Sequence, residues 1–236
     1  YKAVGLAVAV VKNNELVYKH SFGYKNLQLK TPLGETDIFR IASISKSFSA
    51  TAIMQLAAQK KLSLSDDVSD LIGFKVRNPK YPGKIITIKM LLSHRSSLND
   101  SNGYFTLDSI NPSTTNNWAK CYNDYEPGTR YQYCNLNFNI IGTIIERISG
   151  ERFDQYIKKH ILDPLDLYGG YCVDSLNKDL FTTLYEYNAS ADSFEAAPDA
   201  YAPRREQIQH YKIGHSTPIF SPTGGMKISA ADLGRY

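Results

Sequence analysis

A serine and a lysine three residues apart, Ser43 and Lys46, open a stretch that carries no further charge until Lys60. On a helix two such side chains share a face, so the lysine can take the serine's proton. Much later in the chain, Tyr133-Cys134-Asn135 follows the turn signal Glu126-Pro127-Gly128-Thr129. A phenol and an amide brought beside the first pair would complete a proton relay and hold a substrate carbonyl. The chemistry this suggests is acyl transfer through a serine nucleophile, activated by lysine and tyrosine with no histidine needed.

Each pattern is weak alone. Ser-x-x-Lys recurs at Ser175 and Lys178, and Tyr-x-Asn at Tyr24 and Asn26, where nothing nearby suggests a site. Context separates the copies. From Ser43 onward Ile44, Phe48, Ala52 and Leu56 line one helical face, with Ile53 and Ala57 beside it. A helix apolar or small nearly all round belongs in the middle of a protein. Burial there lowers a lysine's pKa toward the range where it accepts a proton near neutrality. Ser43 at the helix N-terminus would add an unpaired backbone N–H and the positive end of the dipole, both suited to an oxyanion. The blander alternatives are an N-capping serine beside a surface lysine, and a tyrosine packed under a loop. Asn135 and Asn137 could equally cap the helix that follows them.

Around these motifs the chain reads as a β-hairpin followed by helices. Residues 3–11 form a nearly continuous apolar run, Asn13-Asn14 supplies a turn, and Leu16-Val17-Tyr18 resumes. The first strand is apolar enough to be covered on both faces. Gly23 to Gly34 reads as loop plus a further extended piece punctuated by Thr31-Pro32. Thr87 predicts an N-cap for a short helix through Leu92, and residues 99–130 read as loop. Ile140, Ile141, Ile144, Ile145 and Ile148 then recur at helical spacing, with Gly150 as the stop. Another helix is expected from Arg152 to about Ile161, before Pro164. Residues 169–222 read as loops and short pieces, and Ser229 opens a final helix.

The composition excludes several function classes. Net charge is only +4 and the lysines are spread among acids, which gives nucleic-acid binding little support. No stretch approaches a membrane span. The five histidines show no metal-ligand spacing, and His94 reads as structural. Cys121, Cys134 and Cys172 are odd in number and irregular in spacing, so one bridge plus a thiol and three thiols both remain open. No Gly-x-Ser-x-Gly elbow is present, which counts against a Ser-His-Asp hydrolase of the α/β type. Neither a metal nor an organic cofactor is expected.

Taken in order, the motifs resemble the serine hydrolases related to class C β-lactamases and D-alanyl-D-alanine carboxypeptidases, a family that also includes esterases and aminopeptidases. The matching text is Phe39-Arg40-Ile41-Ala42-Ser43-Ile44-Ser45-Lys46, then Leu91-Leu92-Ser93-His94-Arg95-Ser96-Ser97-Leu98. Glu126-Pro127-Gly128 leading to Tyr133-Cys134-Asn135 follows, and then Gly224-Gly225-Met226 with Ser229 and Asp232.

The resemblance implies an α+β fold of the β-lactamase/transpeptidase type, an antiparallel sheet flanked by helices beside a mainly helical part, with the site between them. Residues 1–42 and 212–236 would form the α/β part and 43–211 the helical part of one catalytic domain. It also implies that Ser43 is the acylated nucleophile and that Lys46 helps take its proton. Tyr133 would act as general base and leaving-group acid, and Asn135 would bind the substrate's amide side chain and position Lys46. The substrate would be a small molecule or a peptidoglycan-peptide-like amide or ester, β-lactams among them, met in the periplasm or elsewhere outside the cytoplasm. A sensor acylated without turnover, or a scaffold that has lost its chemistry, are the alternatives.

Three departures stand out. The family's third motif, Lys-Thr-Gly or His-x-Gly on a strand, is absent, so the chain reads as the incomplete form of a longer protein. Cys134 stands where serine or alanine is commoner, and Ser96-Ser97 where Ser-Gly is commoner. Oligomeric state is not legible.

Overall fold

The computed structural model describes residues 3–197 and 201–236. In chain order the elements are β1 (Gly5–Lys12), β2 (Glu15–Asn26), β3 (Thr31–Pro32), β4 (Phe39–Arg40), α1 (Lys46–Ala58), α2 (Val68–Ile72), α3 (Ile88–Leu92), α4 (Leu136–Ser149), α5 (Phe153–Ile157), β5 (Gly169–Gly170), β6 (Tyr185–Asn188), β7 (Ser193–Ala196), α6 (Arg205–Gln209), β8 (Lys227–Ile228) and α7 (Ala230–Arg235). The chain divides into two compact units, one of residues 1–41, 162–206 and 226–236, the other of 42–161 and 207–225. Residues 162–206, assigned to the helical part by the sequence reading, group with the strands.

In the first unit β1 and β2 pair antiparallel, with Leu6 opposite Phe22 and Val10 opposite Tyr18. Asn13 and Asn14 join them with φ of 52° and 63°, the left-handed pair that a tight hairpin turn requires and that asparagine tolerates. β3 continues this sheet, β4-β8-β5 forms a second one, and β6-β7 a separate hairpin. α7 packs on the first hairpin, with Gly234 close against Val11, Ala9 and Leu16. Ser229 caps it by accepting a hydrogen bond from the Asp232 N–H. β1 does not run between two covered faces, as its apolar run suggested. Leu6, Val10 and Phe22 share the other side of the hairpin and each is about half exposed. An apolar run reports what a strand could bury, and side-chain alternation decides what one packing partner covers.

The second unit is built on α4. Every residue from Leu136 to Glu146 is buried, and α1, α2, α3 and α5 pack around the helix. Phe48, Ile53 and Leu56 of α1 meet this core fully buried. Gly142 is needed for close approach, because a Cβ there would lie 2.3 Å from Pro222 Cγ. Gly150 ends α4 in the left-handed conformation, as its position in the sequence predicts. Thr87 caps α3 through the Met90 N–H as expected, and Asp67 caps α2, a helix the periodicity was too short to show. The helix expected from Arg152 to Ile161 begins as α5 and passes into a π turn over Lys158–Leu162. Ile44, expected on the buried face of α1, lies in a 3-10 turn ahead of that helix and is 55% exposed.

Candidate active site

Ser43 sits in the 3-10 turn Ala42–Ser45, and α1 begins only at Lys46. The turn is entered through Ala42 with φ of 46°, a left-handed conformation that costs a non-glycine residue about 1 kcal/mol or more and that functional sites often retain. From this perch the Ser43 hydroxyl lies 2.7 Å from the Tyr133 hydroxyl and 3.2 Å from Lys46 Nζ. Either of the two hydroxyls can be the donor. The sequence places Ser43 and Lys46 three apart, and the structure keeps them in contact even though a 3-10 turn replaces the first helical turn.

Lys46 is 7% exposed at the start of the apolar helix. Its ammonium is held by three acceptors: Ser43 Oγ, Asn135 Oδ1 at 3.0 Å and the Thr223 carbonyl at 2.9 Å. Three acceptors match the three N–H donors of an ammonium, which lets a charged group persist in a nearly buried position. The rings of Tyr133 and Phe138 flank it, with Nζ 4.9 Å and 5.6 Å from their centroids.

Tyr133 is placed by the loop ahead of α4. His94 lies behind it, with ring centroids 4.5 Å apart, and His94 Nδ1 accepts the Cys134 N–H at 3.2 Å. Asn137 Nδ2 approaches the same nitrogen at 3.2 Å, and the Gln132 N–H donates to the His94 carbonyl at 2.9 Å. Burial first, and the nearby Lys46 charge second, hold the imidazole below its usual pKa. A neutral ring with Nδ1 as acceptor fits those donors. His94 thus supports Tyr133 from behind and does not touch Ser43 in this arrangement.

Asn135 stands at the N-cap of α4 but makes no side-chain cap bond. Its Oδ1 accepts from Lys46 and from Thr223 Oγ1 at 2.9 Å, and its Nδ2 donates to Asp100 at 3.0 Å. Asp100 and Thr223 were not singled out from the sequence. Asp100 follows the Leu91–Leu98 motif by two residues and Thr223 precedes Gly224-Gly225, so each lay beside a segment already noted. Asn137, read as a possible cap, instead accepts from Ser96 Oγ at 2.7 Å.

All four residues proposed from the sequence, Ser43, Lys46, Tyr133 and Asn135, therefore come together within the second unit. A hydroxyl within reach of both a lysine nitrogen and a tyrosine oxygen can lose its proton as it attacks to whichever of the two is unprotonated, and the proton can be passed on. A family model described as Beta-lactamase matches residues 1–236. The chain belongs to the Beta-lactamase family. It is 29% identical over 167 residues to Protein flp of Staphylococcus aureus strain MW2, covering 69% of this chain and 34% of that one. A solved structure described as an octameric penicillin-binding protein homologue from Pyrococcus abyssi superposes with a TM-score of 0.77 at 26% identity, over 99% of this chain and 51% of that one. EstCE1, described as a hydrolase with promiscuous acyltransferase activity, shares the fold with a TM-score of 0.76 at 23% identity, over 98% of this chain and 66% of that one. The chain spans about a third of the length of the curated relatives it matches. Its fold is of the β-lactamase/transpeptidase type, helices with antiparallel sheets.

Among the described residues no group of three His, Cys, Asp or Glu side chains is arranged to hold a metal ion. No helix is long and apolar enough to cross a membrane.

Proposed function

We propose that this chain carries the catalytic centre of a serine hydrolase that forms an acyl-enzyme on Ser43. The observation that supports it is the placement of one hydroxyl within hydrogen-bond reach of both Tyr133 and Lys46. Ser43 Oγ attacks the carbonyl carbon of an ester or amide while its proton passes to Tyr133, with Lys46 stabilising the phenol oxygen's negative charge. The tetrahedral intermediate collapses, the bond to the leaving alcohol or amine breaks, and Tyr133 returns the proton to that group. Water then attacks the ester on Ser43 along the same proton path, releasing the carboxylic acid and the free serine. The Ser43 backbone N–H is one donor for the oxyanion in this reading.

The substrate class is a peptide-like amide or ester of the D-alanyl type, with β-lactams as analogues, and the place of action is outside the cytoplasm. A wholly apolar pocket would favour simple esters. Here the polar Asn135 and Lys46 side chains lie beside the nucleophile, and Asn135 Nδ2 keeps one hydrogen for a polar, amide-bearing substrate. The test is the intact mass of the full-length protein after exposure to benzylpenicillin and, separately, to an alkyl fluorophosphonate, with Ser43→Ala as control. A single adduct with either reagent that is lost in Ser43→Ala is expected. Equal labelling of the variant, or no labelling and no consumption of either reagent, would overturn the reading. A penicillin adduct that never turns over, with no hydrolysis of any ester, would make the protein a sensor.

A further inference from the structure

Asparagine at a helix N-cap ordinarily turns its side chain back onto the first backbone N–H groups. Asn135 does not, because its amide oxygen faces Lys46 and Thr223. Two other backbone donors at this end of α4 are taken by Asp100, which arrives from the loop after α3. Asp100 Oδ2 accepts from the Asn135 N–H at 2.9 Å and from Asn135 Nδ2 at 3.0 Å. Asp100 Oδ1 accepts from the Leu136 N–H at 3.0 Å and from the Cys134 thiol at 3.2 Å. One carboxylate thus meets the backbone at the start of α4 and grips the N-cap residue's amide as well.

Two physical consequences follow. A carboxylate only accepts and an ammonium only donates, so the amide between them has one allowed orientation, oxygen toward Lys46 and nitrogen toward Asp100. The negative charge of Asp100 is also linked to the Lys46 ammonium through that amide, and each hydrogen bond in such a series polarises the next.

We propose that Asp100 is a positioning residue for the acyl-transfer reaction: it orients the Asn135 amide and, through that amide, fixes where Lys46 Nζ stands beside Ser43 and Tyr133. This rests on the reading of Ser43 as nucleophile. It also restricts Asn135, whose oxygen is fully taken, to meeting substrate through its one remaining Nδ2 hydrogen. The ionisable groups around Lys46 are Ser43 and Tyr133 on the open side, His94 and the Cys134 thiol behind Tyr133, and Asp100 behind Asn135.

The experiment measures the Ser43 acylation rate and KM of the full-length protein with a chromogenic ester for wild type, Asp100→Asn and Asp100→Glu, with circular dichroism confirming the folded fraction. Asp100→Asn opposes a donor to a donor at the Asn135 amide. It is expected to slow acylation about 10- to 100-fold with KM changed less than about threefold. Asp100→Glu, one methylene longer but still only an acceptor, should lose less than Asp100→Asn does. In an Asn135→Ala background, either Asp100 substitution should cost much less than it does alone, since the effect runs through Asn135. An unchanged acylation rate in Asp100→Asn, or an equal cost in both backgrounds, would overturn the inference. If Asp100→Asn does not fold, the same cycle with Asp100→Glu decides it: a rate loss confined to the protein that keeps Asn135 sustains the proposal, and no loss or an equal loss in both backgrounds defeats it. Failure of the wild type to be acylated at Ser43 would instead defeat the reading on which it rests.

Discussion

At the residue scale the site is a matter of counting donors and acceptors around one ammonium. Lys46 has three acceptors at 2.9 to 3.2 Å, one for each N–H of an ammonium. A planar guanidinium cannot reproduce that geometry, so Lys46→Arg should abolish acylation of Ser43 to below about a thousandth of the wild-type rate despite the retained charge. Tyr133→Phe keeps the ring packed on His94 and deletes only the hydroxyl. It should lose about 10²- to 10⁴-fold in the acylation rate with an unchanged melting temperature, read by burst kinetics and calorimetry on the same sample. The sequence carried these four residues because their motifs, each weak alone, fall in the order that the resemblance requires. Asp100 and Thr223 were not legible, because an aspartate in an Asn/Ser-rich loop and a threonine after a proline are ordinary there. Only the folded chain shows what they face.

At the element scale two buried charged residues carry most of the testable energetics. Glu146, fully buried in the last turns of α4, accepts from the Phe153 N–H, the Gly214 N–H and Thr217 Oγ1 at 2.7 Å each, and from the Tyr211 hydroxyl. This one carboxylate fastens α5 and the 211–217 segment to α4. Glu146→Gln puts an N–H against those donors and should destabilise the protein by about 2–4 kcal/mol in urea unfolding. Lys227 on β8 is 8% exposed, and its Nζ donates to the Tyr171 carbonyl at a long 3.4 Å. Burial, with the charges of Arg40 and Arg204 second, pushes its pKa down to about 8 from 10.5. The unfolded chain therefore binds more protons between those values, so stability rises with pH from about 8 to 10.5 and the cost is fully present below 8. Lys227→Met should raise stability at pH 7 by about 2–3 kcal/mol, a gain that shrinks to nothing above pH 10.5. Neither residue was foreseen. Periodicity announced α4 and its Gly150 stop, but it does not reveal which charged residue lies on the buried side.

At the scale of the whole molecule the fold class was legible and much of the local detail was not. The hairpin, the isoleucine helix and the Ser229 cap follow from turn chemistry and spacing, which act locally. The half-exposed face of β1 and the grouping of residues 162–206 with the strands depend on packing between distant segments, which a linear pattern does not encode. Cys121, Cys134 and Cys172 are buried and not joined by disulfides, and burial pushes the Cys121 and Cys134 thiols up, away from the reactive thiolate. The native protein should therefore resist a disulfide-exchange reagent at pH 7.5 and react at three thiols in denaturant, a spectrophotometric titration that also reports global unfolding.

The Thr223 carbonyl that completes the ammonium's shell lies 177 residues beyond Lys46 in the chain. A growing polypeptide on the ribosome reaches Ser43 and Lys46 early, yet it cannot assemble their environment until Thr223 has emerged and docked. Closure over so long a separation comes late in folding. The Lys46 environment that the proposed reaction needs is thus missing during synthesis, and a nascent chain would present Ser43 to an acylating drug without it.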